Sequence, residues 1–133
     1  MASPKTPQAW LNVAASRGAD ADTLSKGKRW VGAIYMAGYA IECALKAYLH
    51  HRGINRPSGA EGHNLKALTK RTRLKYHNVI KEDAFFFDNW SVDLRYEEAL
   101  PPHWKDVENR VNSAKRVVGR LKAIIKRQQK RRR

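Results

Sequence analysis

The densest run of side chains able to do chemistry lies at the end of the chain. After Glu108 no acidic residue occurs, while Arg110, Lys115, Arg116, Arg120, Lys122, Lys126, Arg127, Lys130 and Arg131–Arg133 accumulate. At ~100° per residue on a helix, Lys115, Arg116, Arg120, Lys122, Lys126 and Arg127 fall opposite an apolar stripe of Val107, Val111, Ala114, Val118 and Leu121. One face would pack while the other, prolonged by Lys130, holds fixed positive charge. The chemistry of such a ridge is recognition of a polyanion. A helix macrodipole explains cations in the last turn only, so the rest calls for RNA, DNA or an acidic protein. No aromatic side chains interleave with the ridge, so nucleic acid would be held through its phosphates, with little sequence selectivity and a steep dependence on salt. A second acid-free stretch, His63–Lys81, carries Lys66, Lys70, Arg71, Arg73, Lys75 and Lys81, whereas Glu82–Glu98 holds six carboxylates against Arg95 alone.

Other chemistries find less support. His50 and His51 are adjacent and diverge on a helix, unlike a chelating i, i+4 pair. His63, His77 and His103 have no cysteine or carboxylate at ligand spacing, so no metal site is expected. Gly59 and Gly62 lie in a loop without the Lys-Ser/Thr of a phosphate-binding turn, and no cofactor is implied. Cys43, the single cysteine, sits mid-helix among apolar residues and reads as a small core side chain. Glu42 stands on the same apolar face, where a carboxylate needs a partner; a lysine or arginine from another helix is the expected one.

These residues must be placed by helices. The chain has 133 residues, enough for one domain with its own core. It carries 27 Lys+Arg against 12 Asp+Glu, a net charge of +15, and stays strongly basic even without the terminal cluster. A basic surface that serves only solubility is the competing reading. The longest apolar run, Val31–Ile41, is far shorter than the ~20 residues of a membrane span. The start, Met-Ala-Ser-Pro-Lys-Thr-Pro, lacks the apolar segment of a signal peptide. With one cysteine, these features lead us to expect a cytoplasmic protein without membrane association.

No period-two alternation or hairpin turn is present, and helical spacing recurs throughout. Thr6-Pro7 starts a first helix with Trp10, Leu11, Ala14 and Ala15 on one face; Gly18 is expected to stop it, with a restart at Asp20 or Asp22, the two pieces being either one bent helix or two. Lys28–Arg52 forms a second helix, buried on more than one side, in which Gly38 and the alanines would let another helix approach. Asn64 caps a third, with Leu65 and Leu68 inward. A fourth is expected over 73–90, with Phe85–Phe87 and Trp90 in the core. Pro101-Pro102 then precedes a long final helix, whose stripe starts at Trp104 and ends at Ile125. The expected fold is an all-α, up-and-down bundle of four to five helices with antiparallel neighbours. Residues 1–5 are expected to be a disordered start, 6–126 the helical domain and 127–133 a basic tail.

Ala37-Gly38-Tyr39-Ala40-Ile41-Glu42-Cys43-Ala44-Leu45-Lys46-Ala47-Tyr48-Leu49 resembles the signature of HEPN domains, whose aromatic-rich helix ends in A-x-E-x-A-L-K-A-x-L. Trp10, His63-Asn64-Leu65 and Trp90 through Leu94-Arg95-Tyr96 agree, so the resemblance covers about residues 6–126. It implies a four- or five-helix bundle, often a homodimer. It also implies a role as an RNA-cutting toxin, a non-catalytic RNA-binding module, or a partner of a nucleotidyltransferase or antitoxin in bacterial toxin–antitoxin and defence systems.

Active members of that family pair an arginine with a histidine four to six residues later, two copies building one metal-independent ribonuclease site. The chemistry is coherent: histidine is a base for the 2′-hydroxyl, and arginine steadies charge on the phosphorane. Arg71 and His77 have five residues between them but lie early in the chain. Arg95 and His103 lie nearer the family's position, with seven intervening residues that include two prolines. Neither pair matches in both spacing and place, and an ion pair of Arg95 with Asp93, Glu97 or Glu42 is the preferred reading. The sequence therefore points to a HEPN-type module that binds RNA or a partner protein without cutting. The ribonuclease toxin and a purely structural, oligomer-forming protein are the alternatives.

Overall fold

Thr6 begins the first helix: its backbone is extended, its side chain accepts the Ala9 N–H at 3.0 Å, and Pro7 occupies the first turn. The computed structural model describes residues 3–57, 59–75, 79 and 81–131. Helix α1 spans Pro7–Lys26 and α2 spans Trp30–His51. A 3-10 segment, Gly59–His63, leads into α3, Leu65–Thr72. Helix α4 covers Ala84–Asn89; a second 3-10 segment, Val92–Tyr96, follows; and α5 runs over Val107–Arg131. The described residues contain five α-helices and no strand, the all-α bundle that the periodicity predicts. None of these helices is long and apolar enough to cross a membrane.

The core is built around α2. Ile34, Ile41, Leu45 and Leu49 are fully buried, and its alanines and Cys43 bury the flanks, because α1, α3 and α5 all pack on it. Helix α1 is continuous, against the expected break. Gly18 lies buried within it, beside the Lys115 side chain. Asn64 caps α3 as expected, accepting the Ala67 N–H at 2.9 Å, with Leu65 and Leu68 inward.

The single helix expected over 73–90 does not form. Helix α3 ends at Arg73, which takes a left-handed conformation with φ 60°. Among the described residues the chain is non-helical at 73–75 and 81–83, and α4 begins at Ala84, because the Asp83 side chain is turned inward. There it accepts the Phe86 N–H at 3.0 Å and the Ser113 hydroxyl at 2.7 Å and pairs with Arg110. Tertiary partners on α5 thus set this boundary, overriding the local pattern. Phe86, Phe87 and Trp90 are core residues. Trp104 stays buried but precedes α5, set edge-on to Phe85 and Phe86 at 5.0 and 5.2 Å. Val117 takes the buried position expected of Val118.

Gly38 admits a side chain, where a helix backbone was expected. The Trp90 indole lies over it, so close that a Cβ there would stand 2.0 Å from Nε1, and that N–H donates to the Ile34 carbonyl at 3.1 Å. Helices α1 and α2 are antiparallel, but α2 and α5 are parallel. His51 and Tyr48, at the end of α2, meet Gln128 near the end of α5, and Trp30, opening α2, shares a cleft with Val107 and Glu108, opening α5. The long connection through α3 and α4 carries the chain back between them. The expectation of antiparallel neighbours therefore fails for this pair.

Candidate nucleic-acid interface

Helix α5 presents its cations outward, but its two halves differ. In the first half, Lys115 pairs with Asp22 of α1. Arg116 and Arg120 share one carboxylate, with Arg116 Nε 3.0 Å and Arg120 Nη2 2.7 Å from the two Glu82 oxygens. Hydrogen bonds from these guanidinium groups, foremost that of Arg116, hold the Glu82 carboxyl below its usual range. This part of the ridge is occupied in holding α5 to its neighbours. The second half is not neutralised. Lys126 donates to the neutral amide of Gln8, and among the described residues Lys122, Arg127 and Lys130 meet no carboxylate. All three are exposed. The helix continues through Arg131, so residues 127–131 of the expected tail are helical.

The parallel arrangement of α2 and α5 adds what the linear sequence hides. At the end where α5 finishes, α2 contributes exposed Arg52, and the loop after it contributes Arg56, whose Cζ lies 5.0 Å from the centre of the Trp10 ring. His51 Nε2 lies 2.9 Å from Gln128 Oε1, tying the two helix ends together. Arg52 and Arg56 were not singled out in the sequence. The signal in the sequence was Arg52 and Arg56 on either side of Gly53-Ile54-Asn55, and it acquires meaning once the helix directions are known.

The two arginine–histidine pairs fare differently. Arg71 lies at the end of α3 with Nη2 3.6 Å from Glu61, while His77 lies outside the described residues. Arg95 and His103 make no contact with each other. Arg95 sits 4.9 Å from the centre of the Tyr96 ring, and the Tyr96 and Tyr35 hydroxyls raise its pKa. The expected ion pair of Arg95 with Asp93, Glu97 or Glu42 is absent among the described residues, because the side chain turns to these tyrosines. His103 packs against Phe85 at 5.8 Å, on the ring that also carries the Arg110 guanidinium at 4.4 Å.

Glu42 is buried, and its partners differ from the expected cation on another helix. Lys46, one turn on in α2, lies 2.9 Å from Oε2, and His63 Nδ1 lies 3.1 Å from Oε1. A side chain i, i+4 on the same helix reaches inward at no topological cost. Burial, reinforced by Glu42, pushes the neighbouring Cys43 thiol up to about 12, as expected of a packing residue. Among the described residues, no three His, Cys, Asp or Glu side chains gather as a metal centre requires.

Comparison with known proteins accords with this architecture. The family profile for the HEPN domain matches residues 7–124. Among solved structures, the crystal structure of an archaeal HEPN homologue superposes with a TM-score of 0.68 at 19% identity, covering 92% of this chain and 99% of that one. At that identity the likeness is one of fold. No curated protein matches.

Proposed function

Since the chain belongs to the HEPN domain family, we propose that it is a non-catalytic helical module of that family that binds RNA through the C-terminal half of α5. The observation that carries this reading is the sorting of charge along one helix. Lys115, Arg116 and Arg120 are paired with acids, while Lys122, Arg127 and Lys130 stand exposed with no acidic partner among the described residues. Unpaired surface cations repel one another, and binding of phosphates relieves that repulsion with release of counterions. Neither arginine–histidine pair meets the family's spacing and place together, which favours binding without cutting. A homodimer and a nucleotidyltransferase or antitoxin partner within a toxin–antitoxin or defence system belong to the same reading as family-level expectations, and a cytoplasmic location follows from the single cysteine.

The test is titration of a single-stranded RNA across salt. Three phosphates neutralised at ~0.7 each give a log–log slope of about −2, or roughly a 20-fold loss of affinity between 50 and 200 mM salt. The triple variant Lys122→Glu, Arg127→Glu, Lys130→Glu should abolish the shift while retaining the native circular dichroism. A flat salt response, or full binding by that variant, refutes the reading. The ribonuclease alternative predicts RNA cleavage that persists in EDTA and disappears in His77→Ala or His103→Ala.

A further inference from the structure

A second cationic feature is a cleft of about 580 Å³ over α3, lined chiefly by Glu61, Asn64, Lys70, Arg71 and Arg73, with Ile54 and Ala67 as its apolar residues. That volume is within the range of small-ligand sites. Among the described residues, Lys70 and Arg73 have no acidic partner. Arg71 is held by Glu61 only at 3.6 Å, outside hydrogen-bond distance, so it can turn to a better acceptor. Lys66, also in the lining, is paired with Asp88 at 2.7 Å and is not counted among the available charges.

Two physical facts limit what this cleft can hold. Among the described residues its lining contains no aromatic ring and so no stacking surface for a base, and its two apolar residues are too few to hold a hydrophobic ligand. Three available cations spread over a cleft of this size exceed what one phosphate needs, and they match a chain of linked phosphates. The helix dipole accounts for Lys70 and Arg71 in the last turn of α3, but it does not account for Arg73. Arg73 adopts φ 60°, a left-handed conformation that strains a residue with a Cβ and that glycine takes freely. Glycine would end the helix without that cost, yet here the strained position carries a guanidinium, and that guanidinium lines the cleft.

We propose that the α3 cleft is a binding site for linked phosphates, held by Lys70, Arg71 and Arg73, and separate from the RNA-binding face of α5. Two sources share this chemistry: a free inorganic polyphosphate, and the 5′-triphosphate end of an RNA. The site does not depend on the α5 reading and can stand if that reading fails.

The experiment uses the full chain and inorganic tripolyphosphate, measured by calorimetry, with sulfate at matched ionic strength as the control. One tripolyphosphate per chain is expected, with no saturable sulfate binding. The decisive variant is Arg73→Gly, because its two effects have opposite signs. Relief of the left-handed strain should raise the thermal midpoint by about 3 °C, while tripolyphosphate affinity falls at least tenfold; adding Lys70→Ala should remove binding. The α5 triple variant should keep full tripolyphosphate affinity, which separates this site from the other. Comparing RNAs with 5′-triphosphate and 5′-hydroxyl ends assigns the source. A preference for the triphosphate that Arg73→Gly erases identifies the RNA end, and equal binding of both identifies the free anion. Equal affinity for sulfate, or an Arg73→Gly chain that binds tripolyphosphate as the native one does, overturns the proposal.

Discussion

Replacing Gly38 with alanine should destabilise this protein, although the same change inside a helix ordinarily stabilises. Helix propensity alone favours alanine by roughly 0.5–1 kcal/mol. Against that, the new methyl would lie 2.0 Å from Trp90 Nε1 and 2.1 Å from its Cε2, distances no real contact tolerates. The indole is buried, stacked on Tyr35 at a centroid distance of 6.1 Å, and bonded to the Ile34 carbonyl, so it cannot swing aside freely. Moving it costs about 1–3 kcal/mol in overpacking. Leaving its N–H and the Ile34 carbonyl without each other adds about 1–2 kcal/mol. The net loss is about 2–3 kcal/mol, or roughly 10 °C in the thermal midpoint of a chain this long. Gly119 supplies the control: it lies in α5, is exposed, and a Cβ there would meet nothing within 4 Å. Gly119→Ala should therefore gain about 0.5–1 kcal/mol. Urea denaturation followed by circular dichroism reads both. A Gly38→Ala chain as stable as the native one would refute the placement of Trp90 over α2.

Asp83→Ala removes a helix cap and strands Arg110 and Ser113 together, so urea denaturation should show a loss of about 3 kcal/mol, with Asp83→Asn losing less. Cys43 should resist a thiol reagent at pH 8 and react fully once the chain is unfolded, since burial keeps its thiol protonated; rapid labelling of the native protein would contradict the packing of α2. Glu82 has a folded pKa below its unfolded one, so its ion pairs stabilise the fold at neutral pH and lose that effect as pH falls through the carboxylate range. Glu82→Gln should accordingly flatten the acid limb of the stability profile measured by thermal melts. By releasing Arg116 and Arg120 it should also steepen the salt slope for RNA by about 1.

The parts of this structure legible in the sequence are those governed by local rules. The cap at Thr6, the cap at Asn64 and the apolar periodicity of α2 each depend on residues within a turn or two of one another and are found where the pattern predicts them, and the α5 stripe departs from it only at Val117 and at Trp104. What the pattern misplaced depends on distant partners. Gly18 lies inside a continuous helix, beside Lys115 from 97 positions along the chain, and Asp83 breaks a helix because α5 supplies its partners. The candidate interface divides in the same way. Counting charges finds the ridge, but only the fold shows that Asp22 and Glu82 neutralise its first half and that α2 brings Arg52 to its second.

The common direction of α2 and α5 bears on how fast this molecule meets its target. One end of the bundle gathers Arg52, Arg56, Arg127 and Lys130, while the other mixes Glu97, Glu98 and Glu108 with Lys28 and Arg29. A body charged so unevenly experiences a torque in the field of a polyanion, within about a Debye length, and turns its positive end forward before touching. Orientation, ordinarily the slow part of protein association, would then be settled during the approach.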